Sequence, residues 1–223
     1  MTLIDETDIE AILICLDAQL EQTERSNTPA LRLVRKDLSR RLAKADASVI
    51  LNVSDALVKR GTWADRMIAY EIVGAHRAAF ATLDEGRLIR WSRGLTSWGT
   101  VDLFGCTLAG QAWREGVLSD AVIDEWSHSP DRWMRRLSLV CTVPLNIRSR
   151  GGHGDIPRTL RICEALVDDR DDMVVKALSW ALRELAKRDP GPVRDFLSRN
   201  HERLASRVVR EVTTKLTTGK KNV

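Results

Sequence analysis

The chain has 223 residues, 43% hydrophobic and 30% charged, a balance that excludes a disordered chain and suits a globular one. That length is enough for one large domain or two small ones with a sizeable core. Lys and Arg outnumber Asp and Glu by 35 to 31, a surplus of four that by itself implies nothing about nucleic acid.

No run approaches the roughly 18 apolar residues of a membrane span, since even "EAILICLDAQL" is interrupted by Asp17. The opening "MTLIDETDIE" is acidic and lacks the basic-then-apolar order of a signal peptide, so a cytosolic protein is expected. Cys15, Cys106, Cys141 and Cys163 are scattered in apolar contexts without a CxxC pair, which favours buried free thiols over metal ligands or disulfides. His76, His128, His153 and His201 share no metal-binding spacing, and no cofactor is expected.

Apolar residues recur every three or four positions almost throughout, which predicts an all-α chain of short helices. The first runs from about Asp5 to Glu24. The second follows "NTP", with Thr28 as N-cap and Pro29 at the first helical position. A third covers about 46–59 and stops at Gly61. A fourth begins at Thr62 and takes in "WADRMIAYEIVGAHRAAF", with Ile68, Ile72 and Ala75 on one face. Helices over about 84–93 and 97–114 end at Gly94 and Gly116. Ser119 caps "DAVIDEW", and a Ser-Pro cap opens "SPDRWMRRLSLVCTV". The longest break is "PLNIRSRGGHGDIP", residues 144–157. Four helical segments follow: "RTLRICEALVDD", "DMVVKALSWALRELAKRD", "GPVRDFLSRN" and "RLASRVVREVTTKL". Residues 219–223 are expected to fray.

Short helices joined by tight turns pair antiparallel. The pairs recur at about 35–45 residues, the period of HEAT-like hairpins stacked into a curved α-solenoid with a concave face. One such domain over residues 1–218 is expected, with an irregular all-α bundle as the alternative.

Arginine clusters in "RLVRKDLSRRLAK", "DRWMRRLS", "NIRSRGG" and "RVVREVTTKL". Its planar fork suits phosphate, although any one cluster can be a solvated face. Seven tryptophans stand against one tyrosine and three phenylalanines. Trp63, Trp91, Trp113, Trp126 and Trp133 fit apolar stripes. Trp98 falls in the first turn of its helix, where a core anchor is less expected, and Trp180 suits core or surface equally. In "TSWGTVDLF" the spacing sets Trp98 and Asp102 one turn apart on one side of a helix.

The segments "TSWGTVDLF", "DRWMRRLSLV" and "VVKALSWALRELAKRDP", in that order, resemble the AlkD-like family of DNA alkylation repair glycosylases. The similarity in helix-pair layout covers about residues 29–215. It implies HEAT-like repeats cradling duplex DNA, excision of N3- and N7-alkylated purines, and a place in the bacterial cytosol with the nucleoid. Matched position by position, Asp102 takes the place of the catalytic aspartate, and Trp98 and Trp180 those of tryptophans flanking the deoxyribose. Arg136 takes the place of an arginine holding DNA beside the lesion, with its neighbour Arg135 as the other choice. Further phosphate contacts are expected from Arg148, Arg150 and Arg183, although the Gly-rich stretch carrying the first two could equally be a disordered loop. The lead-in before residue 29 lacks the aromatic-rich character of the family. A monomer acting on alkylated double-stranded DNA, without metal or membrane, is expected. Two other classes stay open: a HEAT-repeat DNA-binding protein without catalysis, expected to bury Asp102 in a salt bridge or hold it away from the rings, and a protein-interaction scaffold.

Overall fold

A computed structural model describes residues 8–23 and 27–220. Every regular element among them is helical, and no strand occurs. The chain divides into two compact units, Met1–Gly94 and Leu95–Val223.

The first unit contains α1 (Ile9–Glu21), α2 (Thr28–Arg41), α3 (Ala47–Arg60), α4 (Trp63–Ala75), α5 (Arg77–Ala81) and α6 (Glu85–Ser92). Asp8 caps α1 by accepting from the amides of Glu10 and Ala11, and the expected ends at Asp5 and Glu24 lie outside the described residues. The cap of α2 is Asn27 rather than Thr28: Asn27 Oδ1 accepts from the Ala30 amide at 3.1 Å, and Thr28 is already helical. The expected helix through "GAHRAAF" breaks at His76, which leaves helical geometry at ψ 100°. Its Nδ1 accepts from the Ala79 amide at 3.1 Å, so the imidazole caps α5 as a Ser or Asp would. Leu31, Ile50, Leu57, Met67 and Ile68 form the core of this unit. Tyr70, the lone tyrosine, is buried there. It accepts from Arg66 Nη1 at 2.7 Å and donates to the Trp91 carbonyl at 3.1 Å.

The second unit opens with α7 (Trp98–Phe104), a π-helical turn (Gly105–Ala109) and α8 (Gly110–Arg114), which run on as one rod. It continues through α9 (Asp120–Ser127), α10 (Arg132–Asn146), a 3₁₀ turn (Arg148–Arg150), α11 (Ile156–Ala165), α12 (Asp172–Ala186), α13 (Pro190–Arg199) and α14 (Ser206–Thr218). The α7–α8 rod, α10, α12 and α14 pack side by side as one layer, while α9, α11 and α13 form the outer members of successive hairpins. The repeat is written in the polar contacts. Asp102–Arg136 spans 34 residues, Arg135–Asp169 34, Arg161–Asp124 37, Asp172–Arg207 35 and Arg203–Asp168 35. Each ties a side chain to its counterpart one hairpin on, the nearest-neighbour coupling of stacked repeats.

Two boundaries depart from expectation. Asp131, not the Ser-Pro pair, caps α10, its Oδ1 accepting from the Trp133 amide at 2.9 Å. α10 also runs through Pro144 to Asn146, which shortens the long break to residues 147–155. That segment is tied down rather than loose. The Gly152 amide donates to Ile147, and the Gly154 amide to Leu145. Gly152 is buried where an added Cβ would lie 2.3 Å from the Pro144 carbonyl oxygen, so only glycine fits. At the other end, α14 stops at Gly219 with φ 74°, and residues 221–223 of the expected frayed tail lie outside the described residues.

Candidate active site

The site grows from the start of α7. Ser97 leaves the helix in extended geometry, and its Oγ accepts from the Thr100 amide, which fixes Trp98 as the first helical residue. Val101 and Phe104 turn into the core. Trp98 and Asp102 therefore share the opposite side, one turn apart. Trp98 is 61% exposed, far outside the range of a packing tryptophan. Trp91, Trp113 and Trp126, by contrast, are buried as their stripes require, while Trp63 and Trp133 are half-buried.

Behind Asp102 the helix widens. The Gly110 amide donates to the Gly105 carbonyl five residues back, a π-type bond. Glycine at both positions lets this rod approach α10 closely. A Cβ at Gly105 would lie 2.7 Å from Val140 Cγ1, and one at Gly110 would lie 2.5 Å from the Cys141 carbonyl oxygen. The close approach brings the second turns of α7 and α10 together, where Arg136 meets Asp102.

That meeting is bidentate. Arg136 Nε donates to Asp102 Oδ1 at 2.9 Å and Nη2 to Oδ2 at 2.8 Å, while Nη1 donates to the Met173 carbonyl at 2.5 Å. The fork is thus held by α7 and α12 together, with 7% of the Arg136 side chain and 20% of the Asp102 side chain exposed. Burial pushes the Asp102 carboxyl up from the ordinary carboxylate range, and Arg136 pulls in the opposite sense through its hydrogen bonds and its charge.

An open trough of about 630 Å³ is lined by Trp98 from α7, Arg136 from α10, Met173, Lys176, Trp180 and Arg183 from α12, and Arg207 and Glu211 from α14. Its four cationic side chains are paired: Arg136 with Asp102, Lys176 and Arg207 both with Asp172 at 2.6 Å, and Arg183 with Glu211 at 3.8 Å, so four cations meet three carboxylates. Trp180 is half-buried and lines the trough. Arg183 is 12% exposed, with Nε on Ser179 Oγ at 3.2 Å and Nη2 3.8 Å from Glu211. Burial lowers its pKa, against the pull of Glu211 and Glu184.

Of the residues singled out in the sequence, Trp98, Arg136, Trp180 and Arg183 line one trough, and Asp102 joins them through Arg136. The other three are not among the lining residues. Arg135 donates to Asp169 at 2.7 Å and to the carbonyls of Ser129 and Pro130. Arg150 reaches the Cys106 carbonyl at 2.6 Å, and Arg148 is exposed on the 3₁₀ turn. Lys176, Met173, Arg207 and Glu211 were not anticipated. Lys176 precedes Trp180 by one turn in "KALSW", a spacing that puts both on one face and could have found it.

Cys106, Cys141 and Cys163 are buried thiols, and burial holds Cys106 up at about 12. Among the described residues no group of three or more His, Cys, Asp or Glu is placed to hold a metal, and no helix is long and apolar enough to cross a membrane. A search of curated proteins finds no match. A family model described as "DNA alkylation repair enzyme" matches residues 26–216. The chain belongs to this DNA alkylation repair enzyme family.

Proposed function

We propose that the protein is a monofunctional DNA glycosylase that hydrolyses the N-glycosidic bond of cationic N3- and N7-alkylated purines in duplex DNA. The observation that carries this reading is the trough lined by an exposed indole, a half-buried one and Arg136, the arginine that holds the Asp102 carboxylate by two hydrogen bonds.

An alkylated purine that already carries positive charge leaves as a neutral base, so no general acid is needed. Ordinary glycoside hydrolysis takes two carboxylates. Here one suffices, to face the sugar as it turns cationic and to orient water. At about 4 Å and an effective dielectric near 20, that ion pair is worth roughly 4 kcal/mol. Realised mainly in the transition state, it gives on the order of a thousandfold in rate. The negative faces of Trp98 and Trp180 suit the hydrogens of a deoxyribose and, more strongly, the developing cation. Both rings also exclude water, which strengthens the field of the carboxylate. Arg136 takes one lone pair on each Asp102 oxygen, and an ionised carboxylate has about four such sites, so acceptor capacity remains. Lys176, Arg183 and Arg207 supply charge for the phosphate backbone, which makes binding salt-dependent.

A second reading, DNA binding without excision, is favoured by one observation: both Asp102 oxygens are already engaged by Arg136. Incubation with N-methylated duplex DNA, followed by chromatography of the freed bases, separates the two. Release of 3-methyladenine and 7-methylguanine is expected. Salt-sensitive binding with no release would establish the second reading instead.

A further inference from the structure

The π-helical turn Gly105–Ala109 leaves a problem of hydrogen bonding immediately behind Asp102. Widening a helix displaces carbonyls from their usual partners, and an unpaired buried carbonyl is costly. The Cys106 carbonyl is the one at issue. Gln111 Nε2 reaches it at a long 3.3 Å and sits better on the Thr107 carbonyl at 2.9 Å. The strong donor comes from 44 residues away: Arg150 Nη1, at 2.6 Å.

Arg150 is itself held from behind. Its carbonyl accepts from Arg114 Nη1 at 2.5 Å, and Arg114 belongs to α8, the continuation of the same rod. The Arg114 guanidinium also lies under Gly151, where a Cβ would meet it at 3.3 Å. Two arginines therefore cross between the rod and the 147–155 segment, one holding the π turn and one holding the holder. The segment cannot drift, because Gly152 packs against the Pro144 carbonyl and Arg188 Nε donates to the Asn146 carbonyl at 2.5 Å.

We infer that Arg150 is a positioning residue: by donating to the Cys106 carbonyl it stabilises the π turn that sets the angle at which Trp98 meets the trough and Asp102 meets Arg136. A π turn adds one residue to a helix and rotates everything before it relative to everything after it. If the turn relaxed to α geometry, the face shared by Trp98 and Asp102 would swing about the helix axis while the glycine contacts of α8 on α10 stayed in place. One Arg150 donor is therefore committed to a backbone carbonyl, a role separate from any phosphate contact.

This inference rests on the excision activity proposed above, but one of its readouts does not. Arg150→Met keeps the aliphatic stem and removes the donor; Arg150→Lys restores a donor; Ser149→Ala, on the exposed neighbour in the same turn, is the control. Amide hydrogen exchange of residues 103–111 is measured without DNA, and single-turnover release of 7-methylguanine, affinity for duplex DNA and its salt dependence are measured with it. Expected for Arg150→Met is faster exchange across the π turn and a rate lower by roughly ten- to a hundredfold, as for a sub-ångström to 1 Å misplacement, with affinity and salt dependence unchanged. Arg150→Lys should recover both exchange protection and much of the rate. Weakened binding with a shallower salt dependence and an unchanged rate in Arg150→Met would make Arg150 a phosphate ligand and overturn the inference. Exchange across residues 103–111 matching the wild type would overturn it as well. If the wild-type protein releases no base at all, the proposed activity fails, while the exchange comparison still decides whether Arg150 holds the turn.

Discussion

Replacing Arg136 tests the coupling of structure and chemistry at its tightest point. Arg136→Met removes a guanidinium that is 7% exposed and leaves the Asp102 carboxylate, 20% exposed, without its bidentate partner. Breaking a fully buried pair costs about 3–5 kcal/mol. The part of Asp102 that meets solvent places this loss at the low end, about 3 kcal/mol. In a domain of this size that lowers the melting temperature by roughly 6–12 °C. The second consequence concerns protonation. Burial already raises the Asp102 pKa and Arg136 restrains that rise, so removing the guanidinium raises it further. Only the ionised carboxylate can face a sugar cation, and raising its pKa moves the acid limb of the rate toward neutral pH. Thermal melting gives the first quantity, and single-turnover base release from pH 4 to pH 8 gives the second. An acid limb that stayed in place or moved to lower pH would refute the reasoning, whatever happened to stability.

Other consequences follow from the same geometry. In the wild-type protein the acid limb of base release should lie above the ordinary carboxylate value of 3.8, because burial dominates at Asp102; a limb below it would show that Arg136 dominates. Lys176→Ala should weaken binding to any duplex sequence and reduce the slope of log affinity against log salt by about one, as for one lost phosphate contact; an unchanged slope would remove Lys176 from the DNA-facing set. Gly110→Ala places a Cβ 2.5 Å from the Cys141 carbonyl and 2.9 Å from the Gly105 carbonyl, backbone atoms that cannot swing aside. It should destabilise by about 1–3 kcal/mol, and melting at the wild-type temperature would contradict the close approach of the two helices.

Much of this molecule is legible in its residue order, and the illegible parts share a cause. Helix starts at Ser97 and Ser119 could be read because a hydroxyl cap acts within three residues of itself. Stops at Gly61 and Gly116 could be read because both adopt φ 77°, a region that favours glycine. The cap of α2 moved from Thr28 to Asn27 because two competent cap residues stand side by side, and local rules rank them closely. The break at His76 is not legible in the sequence because a histidine cap has no strong local signature. Pro144 predicts the start of a loop by local rules, yet α10 carries it in its last turn.

The site divides along the same line. The pairing of Trp98 with Asp102 is a one-turn relation and was visible in "TSWGTVD". That Arg136 would be turned inward to a carboxylate 34 residues earlier, while Arg135 takes Asp169 34 residues later, depends on the stacking of hairpins. The π turn is likewise invisible in a periodic pattern, since it is fixed by the packing of Gly105 and Gly110 on α10 and by an arginine from a distant segment.

The most direct test of the central claim compares wild type with Asp102→Asn on duplex DNA carrying 7-methylguanine, under single-turnover conditions with binding measured in parallel. Asparagine keeps the shape and removes the negative charge. The account predicts that release falls by on the order of a thousandfold while affinity for the duplex stays within a few fold. Equal release by the two proteins would contradict it.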